Sequence, residues 1–329
     1  MSYFKGKRIL LFAPNFFGYE KDITSKLVEM GAAVDFFDER PSNKSIFKAA
    51  LRLNAKSMAI AVNNYYRKIM EQLNGKNFDY VFVVNAEAIT TEIVDALRSR
   101  FRNARFVLYM WDSVRNKKNT ISLISHFDSV YSFDRFDAES MNGVCFKPLF
   151  YTDDYKPCYA PIKYDLVFAG TAHADRFMIV EKFKAFAKSN NISFHTFLYL
   201  HSPLMYYYQK FSDKSFRTAA SINDFSFKKM SKTGLIEIMC AGKAVLDIQH
   251  PNQTGLTMRT FEVMALQKKL ITTNQDIVNY DFYRPENVYV IDRNAPYIET
   301  GFFDKAFAHL EPQLLYQYSI ESWLKTLLD

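Results

Sequence analysis

Short apolar runs recur along this chain, each followed by a polar turn and then by residues with helical spacing. Residues 7–13, KRILLFA, read as a buried strand, and the loop PNFFGYEKD follows it. A helix is predicted from about Ile23 to Met30, stopped by Gly31, which suits the left-handed turn that closes helices. The next strand is AAVDFFD, ending at Asp38. Strand, loop, helix and strand in this order make a βαβ unit. The unit recurs as DYVFVVNAE (79–87) with a helix over 90–101, as ARFVLYMWD (104–112) and as SVYSFD (129–134). Between the second and third strands, residues 44–74 read as one long helix. Phe47, Leu51, Met58, Val62, Ile69 and Leu73 form its apolar stripe, and Lys48, Arg52 and Lys56 line another face.

The stretch 150–163, FYTDDYKPCYAPIK, has two prolines and no periodicity, so it is read as a linker. A second series then begins: YDLVFAG (164–170), a helix over 175–190, ISFHTFLYL (192–200), AVLDI (244–248), a helix over 257–267, KLITT (269–273) and NVYVI (287–291). Residues 312–328 read as a closing helix. The expected fold is α/β, with two Rossmann-like, doubly wound parallel-sheet domains facing a cleft at the carboxyl ends of their strands. The expected boundaries are 1–157, 158–311 and a C-terminal helix, 312–329, that packs back toward the first domain.

Length and composition agree with this outline. A chain of 329 residues is too long for one ordinary core and suits two domains of roughly 150 residues. With 49% hydrophobic and 23% charged residues, it is globular and not disordered. No apolar run reaches the length of a membrane-spanning helix, and the N-terminus runs straight into a core strand, unlike a signal peptide. Cys145, Cys158 and Cys240 are far apart and fit neither a disulfide framework nor a zinc spacing, so a reducing cytoplasm is the expected compartment. The formal net charge of +7 points to anionic partners, either nucleotide phosphates or acidic lipid headgroups. Nucleic acid is disfavoured, because the basic residues are dispersed and no binding motif is present. Segment 44–68 has basic residues and, from Lys44 to Lys68, no acid, which makes it the candidate contact with an anionic membrane.

The most informative stretch for chemistry is 254–274, TGLTMRTFEVMALQKKLITTN. Gly255 permits a tight path into a helix. The amides of Leu256, Thr257 and Met258 then sit at a helix N-terminus, where phosphate oxygens bind favourably. Arg259 lies on roughly the same face as Glu262, whose carboxylate has the acceptor oxygens that a ribose diol needs. This stretch resembles the nucleotide-sugar signature of GT-B glycosyltransferases, a glycine loop followed by a helix carrying a Glu. The nearest likeness is to the CgeB-like, bacterial polysaccharide-biosynthesis branch, for lipopolysaccharide or capsule, which is also similar in the turn YDLVFAGTAHADR. The resemblance implies that Glu262 holds the ribose and the loop amides hold the diphosphate. Many retaining members have a second acid eight positions before that Glu; here it is Thr254, which leaves inversion or retention open.

In the turn AGTAHADR (169–176), Gly170 and Thr171 are candidates to approach phosphate and Arg176 to neutralise it; Arg176 is equally readable as a surface residue of a first helical turn. His173 is a further candidate ligand contact. In the first domain, Glu20 and Asp22 are the candidate catalytic bases, placed where many inverting GT-B enzymes put theirs; Asp22 is also readable as a helix N-cap. Glu87 and Asp112, at the ends of later strands, are candidates to orient the acceptor or to cap the following helices. The aspartates of FDRFD (133–137) and the pair Asp153–Asp154 read as turns and helix starts, not as a metal motif, and the histidines show no ligand spacing. No metal and no cofactor are expected; the co-substrate is a nucleotide sugar and the acceptor a glycan or lipid-linked glycan. A GT-B-shaped nucleotide-sugar epimerase and a two-lobed ligand-binding protein are the alternatives.

Overall fold

The apolar run at the start of the chain forms a strand, β1 (Arg8–Ala13), in the computed structural model, which describes residues 2–43, 47, 55–114, 118–172, 175–251, 253–295 and 297–329. Every residue of β1 after Arg8 is buried, as a parallel strand covered on both faces requires. β2 (Ala33–Asp38) and β3 (Tyr80–Val84) flank it in parallel, and β4 (Arg105–Met110), β5 (Ser129–Ser132) and β6 (Val144–Phe146) extend the sheet. The strand order is β2-β1-β3-β4-β5-β6. The second sheet is β12-β11-β10-β7-β8-β9, also parallel throughout. It is built from β7 (Tyr164–Thr171), β8 (Phe194–Tyr199), β9 (Phe225–Ser226), β10 (Gly242–Asp247), β11 (Lys269–Thr272) and β12 (Val288–Val290). Both are doubly wound. The order reverses between β1 and β3 in the first sheet and between β7 and β10 in the second, and such reversals are where these folds bind ligands.

The helices follow the connections: α1 (Tyr19–Glu29), α2 (Ala55–Gln72), α3 (Thr91–Arg100), α4 (Lys118–Ile121), α5 (Arg135–Ser140), α6 (Arg176–Ser189), α7 (Pro203–Ser212), α8 (Lys214–Ala219), α9 (Lys232–Ala241), α10 (Met258–Ala265), α11 (Pro312–Gln317) and α12 (Ile320–Leu328). On one face of the first sheet, Leu10 and Phe12 pack with Val62, Tyr66 and Ile69 of α2. On the other, the ring of Trp323 from α12 lies 5.8 Å from that of Phe82 and 4.8 Å from that of Tyr109. In the second, Leu166 and Phe168 pack with Phe177, Val180 and Phe183 of α6.

The chain divides into two compact units, Met1–Leu149 with Ser319–Asp329, and Phe150–Tyr318. The stretch read as a linker, 150–163, therefore belongs to the second unit. The closing helix read over 312–328 is two helices. Ser319 breaks it by capping α12, its hydroxyl accepting from Ser322 N, and α12 belongs to the first unit. α1 begins at Tyr19 and not near Ile23, because Gly18, at φ 90°, supplies the left-handed residue before it. Lys48 and Arg52 of the basic segment lie outside the described residues, as does the side chain of Lys56.

The cysteine reading requires correction. Cys158 and Cys240 are 82 residues apart in sequence yet form a disulfide, with their Cα atoms 5.7 Å apart. Cys145 is free and exposed. Spacing along the chain says nothing about proximity across a parallel sheet, so the inference of a reducing compartment loses its basis. Among the described residues, no helix is long and apolar enough to cross a membrane.

Candidate functional site

At the order reversal of the second sheet, three strand ends and one helix start come together. The loop at 254–257 leads into α10 with Thr257 as its N-cap residue, and buried polar side chains hold it from below. Asn274, just past β11, donates from Nδ2 to Thr254 O (3.0 Å) and Gly255 O (3.2 Å). Asp247, at the end of β10, accepts from Thr257 Oγ1 (2.7 Å) and Thr260 Oγ1 (3.2 Å). Burial pushes the Asp247 carboxyl above the usual range, against the hydroxyl of Thr257 and the charge of Arg176. Gly255 and Leu256 are buried; Thr257, Met258 and Arg259 keep part of their surface.

Three guanidinium groups converge on this edge. Arg176 bridges the ends of β7 and β10, donating to Ile248 O from Nε (3.0 Å) and Nη2 (2.5 Å) and to Thr171 O from Nη1 (3.1 Å). It is a half-buried strut between strand ends, in the first turn of α6, and the bonds it makes here go to main-chain carbonyls. Burial, with Arg259 and Arg293 nearby, lowers its proton affinity, and Asp247 and Asp175 oppose this. Gly170 also has a packing reason to lack a side chain: an added Cβ would lie 3.0 Å from the Phe168 ring. His173 lies outside the described residues. Arg259 Nη2 is 3.3 Å from Ala169 O, and its Nη1 is 3.4 Å from Glu262 Oε2. Arg293, which sequence reasoning missed, grips Asp175 with two nitrogens (2.5 and 2.7 Å) and reaches Gln249 O (2.8 Å). That grip holds the Asp175 carboxyl below the usual range. A basic residue directly after a strand, as in the run VYVIDR, was the available signal.

Glu262 is itself buried. Its carboxylate faces Arg259 and accepts from the Tyr155 hydroxyl. Burial and the nearby Glu262 charge push the Tyr155 phenol well above its ordinary value, so it stays a donor. Tyr155 comes from the stretch 150–163. A strap forms there: Asp154 pairs with Lys232 (2.8 Å), Tyr155 covers Glu262, and Cys158 is bonded to Cys240.

The carboxyl edge of the first sheet carries a second polar cluster. Glu20 is buried, and its Oε2 accepts from Phe16 N (3.1 Å), fastening the loop after β1. Asp22 lies in the first turns of α1, half-buried; it is not the N-cap, which is Gly18. Asn85, in the left-handed region at φ 55°, brings Glu87 and Asp112 together, its Nδ2 lying 3.3 Å from Glu87 Oε1 and from Asp112 Oδ2. Glu87 also pairs with buried Arg40 (3.2 Å). Beside them, the exposed ring of Phe16 lies 5.9 Å from that of Trp111. Among the described residues, buried Glu39 Oε2, Arg40 Nε and Asn85 Oδ1 have no hydrogen-bond partner. Asp134 caps α5, Asp137 is buried on the hydroxyls of Ser113 and Ser132, and no group of three His, Cys, Asp or Glu among the described residues could hold a metal ion.

Glu39 makes the stability of the protein depend on pH. Its Oε1 accepts from the amides of Glu87 and Ile89 (2.8 Å each) and of Ala88 (2.5 Å), but full burial still pushes its carboxyl up to about 8. The folded protein then binds a proton that the unfolded chain releases above its ordinary carboxyl range, so stability falls as pH rises from about 5 to 8, by at most about 1.4 kcal/mol per pH unit. Urea unfolding across this range should show that decline, and Glu39→Gln should flatten it. A variant with the same slope as wild type would assign the decline elsewhere.

Two doubly wound, six-stranded parallel sheets in one chain, each with its order reversal, are the GT-B fold. Solved structures sharing it include Anabaena HepE in complex with UDP-glucose, at TM-score 0.62 and 11% identity over 98% of each chain. The sucrose-phosphate synthase of Thermosynechococcus elongatus matches at TM-score 0.57 and 11% identity over 98% of this chain and 95% of that one. The lipopolysaccharide outer core galactosyltransferase WaaB matches at 0.55 and 12% over 98% and 99%. No protein-family model and no curated protein sequence matches the chain.

Proposed function

We propose that this protein is a glycosyltransferase that moves a sugar from a nucleoside-diphosphate sugar to a glycan or lipid-linked glycan. The observation that carries the reading is the donor edge of the second sheet: a loop clamped by Asn274 and Asp247 into the start of α10, with Arg259, Arg293 and Glu262 around it. The helix N-terminus and the guanidinium groups stabilise the diphosphate as it leaves. The UDP-glucose held by HepE supports a nucleoside-diphosphate donor. In the first unit, Asn85, Glu87, Asp112 and Arg40 form the acceptor site. Buried polar atoms without partners there suit a hydroxyl-rich ligand, and Phe16 with Trp111 offers a face for a sugar ring. The acceptor hydroxyl attacks the anomeric carbon, a carboxylate takes its proton, the bond to the diphosphate breaks, and the nucleoside diphosphate departs. The likeness of 254–274 and 164–176 to the CgeB-like branch supports a place in lipopolysaccharide or capsule synthesis, without a metal.

In this reading the ribose diol takes the place of the Tyr155 hydroxyl on Glu262. Charge-assisted hydrogen bonds contribute about 1.5–3 kcal/mol, so Glu262→Ala should weaken binding of the product nucleoside diphosphate by roughly tenfold to a hundredfold. Tyr155→Phe removes the competing donor and should strengthen it. Calorimetry on variants shown folded by circular dichroism decides the matter. Affinities unchanged in both would leave Glu262 a purely structural residue.

A further inference from the structure

α7 turns its apolar side outward. Its one buried residue is Tyr206, whose ring packs 5.9 Å from Phe216 and 5.8 Å from Phe225 and whose hydroxyl donates to Ala220 O at 3.1 Å. On the opposite side stand Leu204, Tyr207, Tyr208 and Phe211, exposed by 80%, 59%, 68% and 84%. Their spacing of i, i+3, i+4 and i+7 makes one continuous stripe, the stripe that a surface helix ordinarily buries against its own core.

We propose that this stripe docks on an anionic lipid bilayer, with α7 lying in the plane of the interface. Charge selects this occupant. α7 has no acidic residue, and residues 201–224 carry Lys210, Lys214 and Arg217 against Asp213 and Asp224, with Lys210 turned inward to donate to the Tyr206 hydroxyl (2.9 Å). Asp213 is occupied in capping α8, accepting from Ser215 N (2.8 Å) and Phe216 N (3.1 Å). Lys214 and Arg217 are exposed, and Arg217 lies directly beside Phe211, donating to Lys210 O (2.9 Å) and Phe211 O (2.7 Å). Cations thus border the carboxyl-terminal end of the stripe, where they meet lipid phosphates as the rings enter the headgroup layer. Tyrosine, apolar in its ring and polar at its tip, suits that depth. This contact is independent of the donor site and stands or falls separately from the activity proposed above.

Flotation with vesicles of phosphatidylcholine alone, and with phosphatidylglycerol added, tests it. Wild-type protein should float with the anionic vesicles and less so as salt rises. Leu204→Glu with Phe211→Glu should lower the partition by about tenfold or more, with affinity for the nucleoside diphosphate unchanged. Leu204→Ser with Phe211→Ser is the milder pair should the first fail to fold. The proposal is overturned if wild-type protein does not float, or if the folded variants float like it. It is also overturned if only charge reversal at Lys48, Arg52 and Lys56 abolishes flotation, or if sedimentation shows a wild-type dimer that the double variant dissolves, since the occupant is then a second copy of this chain.

Discussion

Replacing Asp112 by asparagine is expected to lower turnover by about 10²–10⁴-fold while nucleotide affinity stays near wild type, the signature of a lost general base. Four carboxylates of the first unit are candidates, and their surroundings separate them. Glu20 is buried and holds the Phe16 amide; Glu87 is nearly buried and faces Arg40. Asp22 and Asp112 keep part of their surface. Asp112 alone of these two receives a bond from Asn85, a side chain fixed by its own buried, left-handed backbone, and an oriented carboxylate is what proton abstraction needs. Asn is one of the few residues that tolerates this conformation, so Asn85→Ala should disturb Asp112 as well. Steady-state kinetics with calorimetry of the same protein separates the cases. If turnover survives in Asp112→Asn and collapses in Asp22→Asn, the base belongs to α1.

Breaking the Cys158–Cys240 disulfide should destabilise the second unit by about 4 kcal/mol, because the bond closes a long loop and so restricts the unfolded chain. For a unit of this size that is about 10 °C in midpoint. Cys158→Ser or Cys240→Ser, or a reductant, should lower one thermal transition and leave the first unit's transition in place. Thiol titration should find only Cys145 before reduction and all three cysteines after it. Variants melting like the untreated protein would refute the assignment. The same bond anchors the strap that carries Tyr155, so its loss should also ease nucleotide access to Glu262.

Much of the architecture was legible because its strands are parallel and covered on both faces. β1, β3 and β4 read as near-continuous apolar runs, and β7 and β10 hold apolar centres between polar ends. The stretch 201–241 was not legible. α7 presents its apolar stripe to solvent, and α9, with the run LIEIMCA, has no polar face to set a period. Within the site, the turn chemistry of 254–259 was visible locally. The roles of Asp247, Asn274, Arg293, Glu39 and Asn85 were not, since each has a partner ten or more residues away along the chain. Arg176 shows the limit most clearly. Its neighbours in sequence suggest a phosphate turn, and its partner Ile248 O is 72 residues away. Glu262 is legible by its carboxylate, and nothing local announces the Tyr155 hydroxyl beside it.

The proposed reaction is transfer of a sugar from a nucleotide donor. It is tested most directly by incubating the purified protein with a panel of nucleotide sugars, with and without lipid-linked glycan acceptors, and following release of the nucleoside diphosphate. Release is expected from one donor class, dependent on acceptor and lost in Asp112→Asn. Conversion of the sugar with no acceptor present, or binding of free sugars with no preference for a nucleotide, would contradict it.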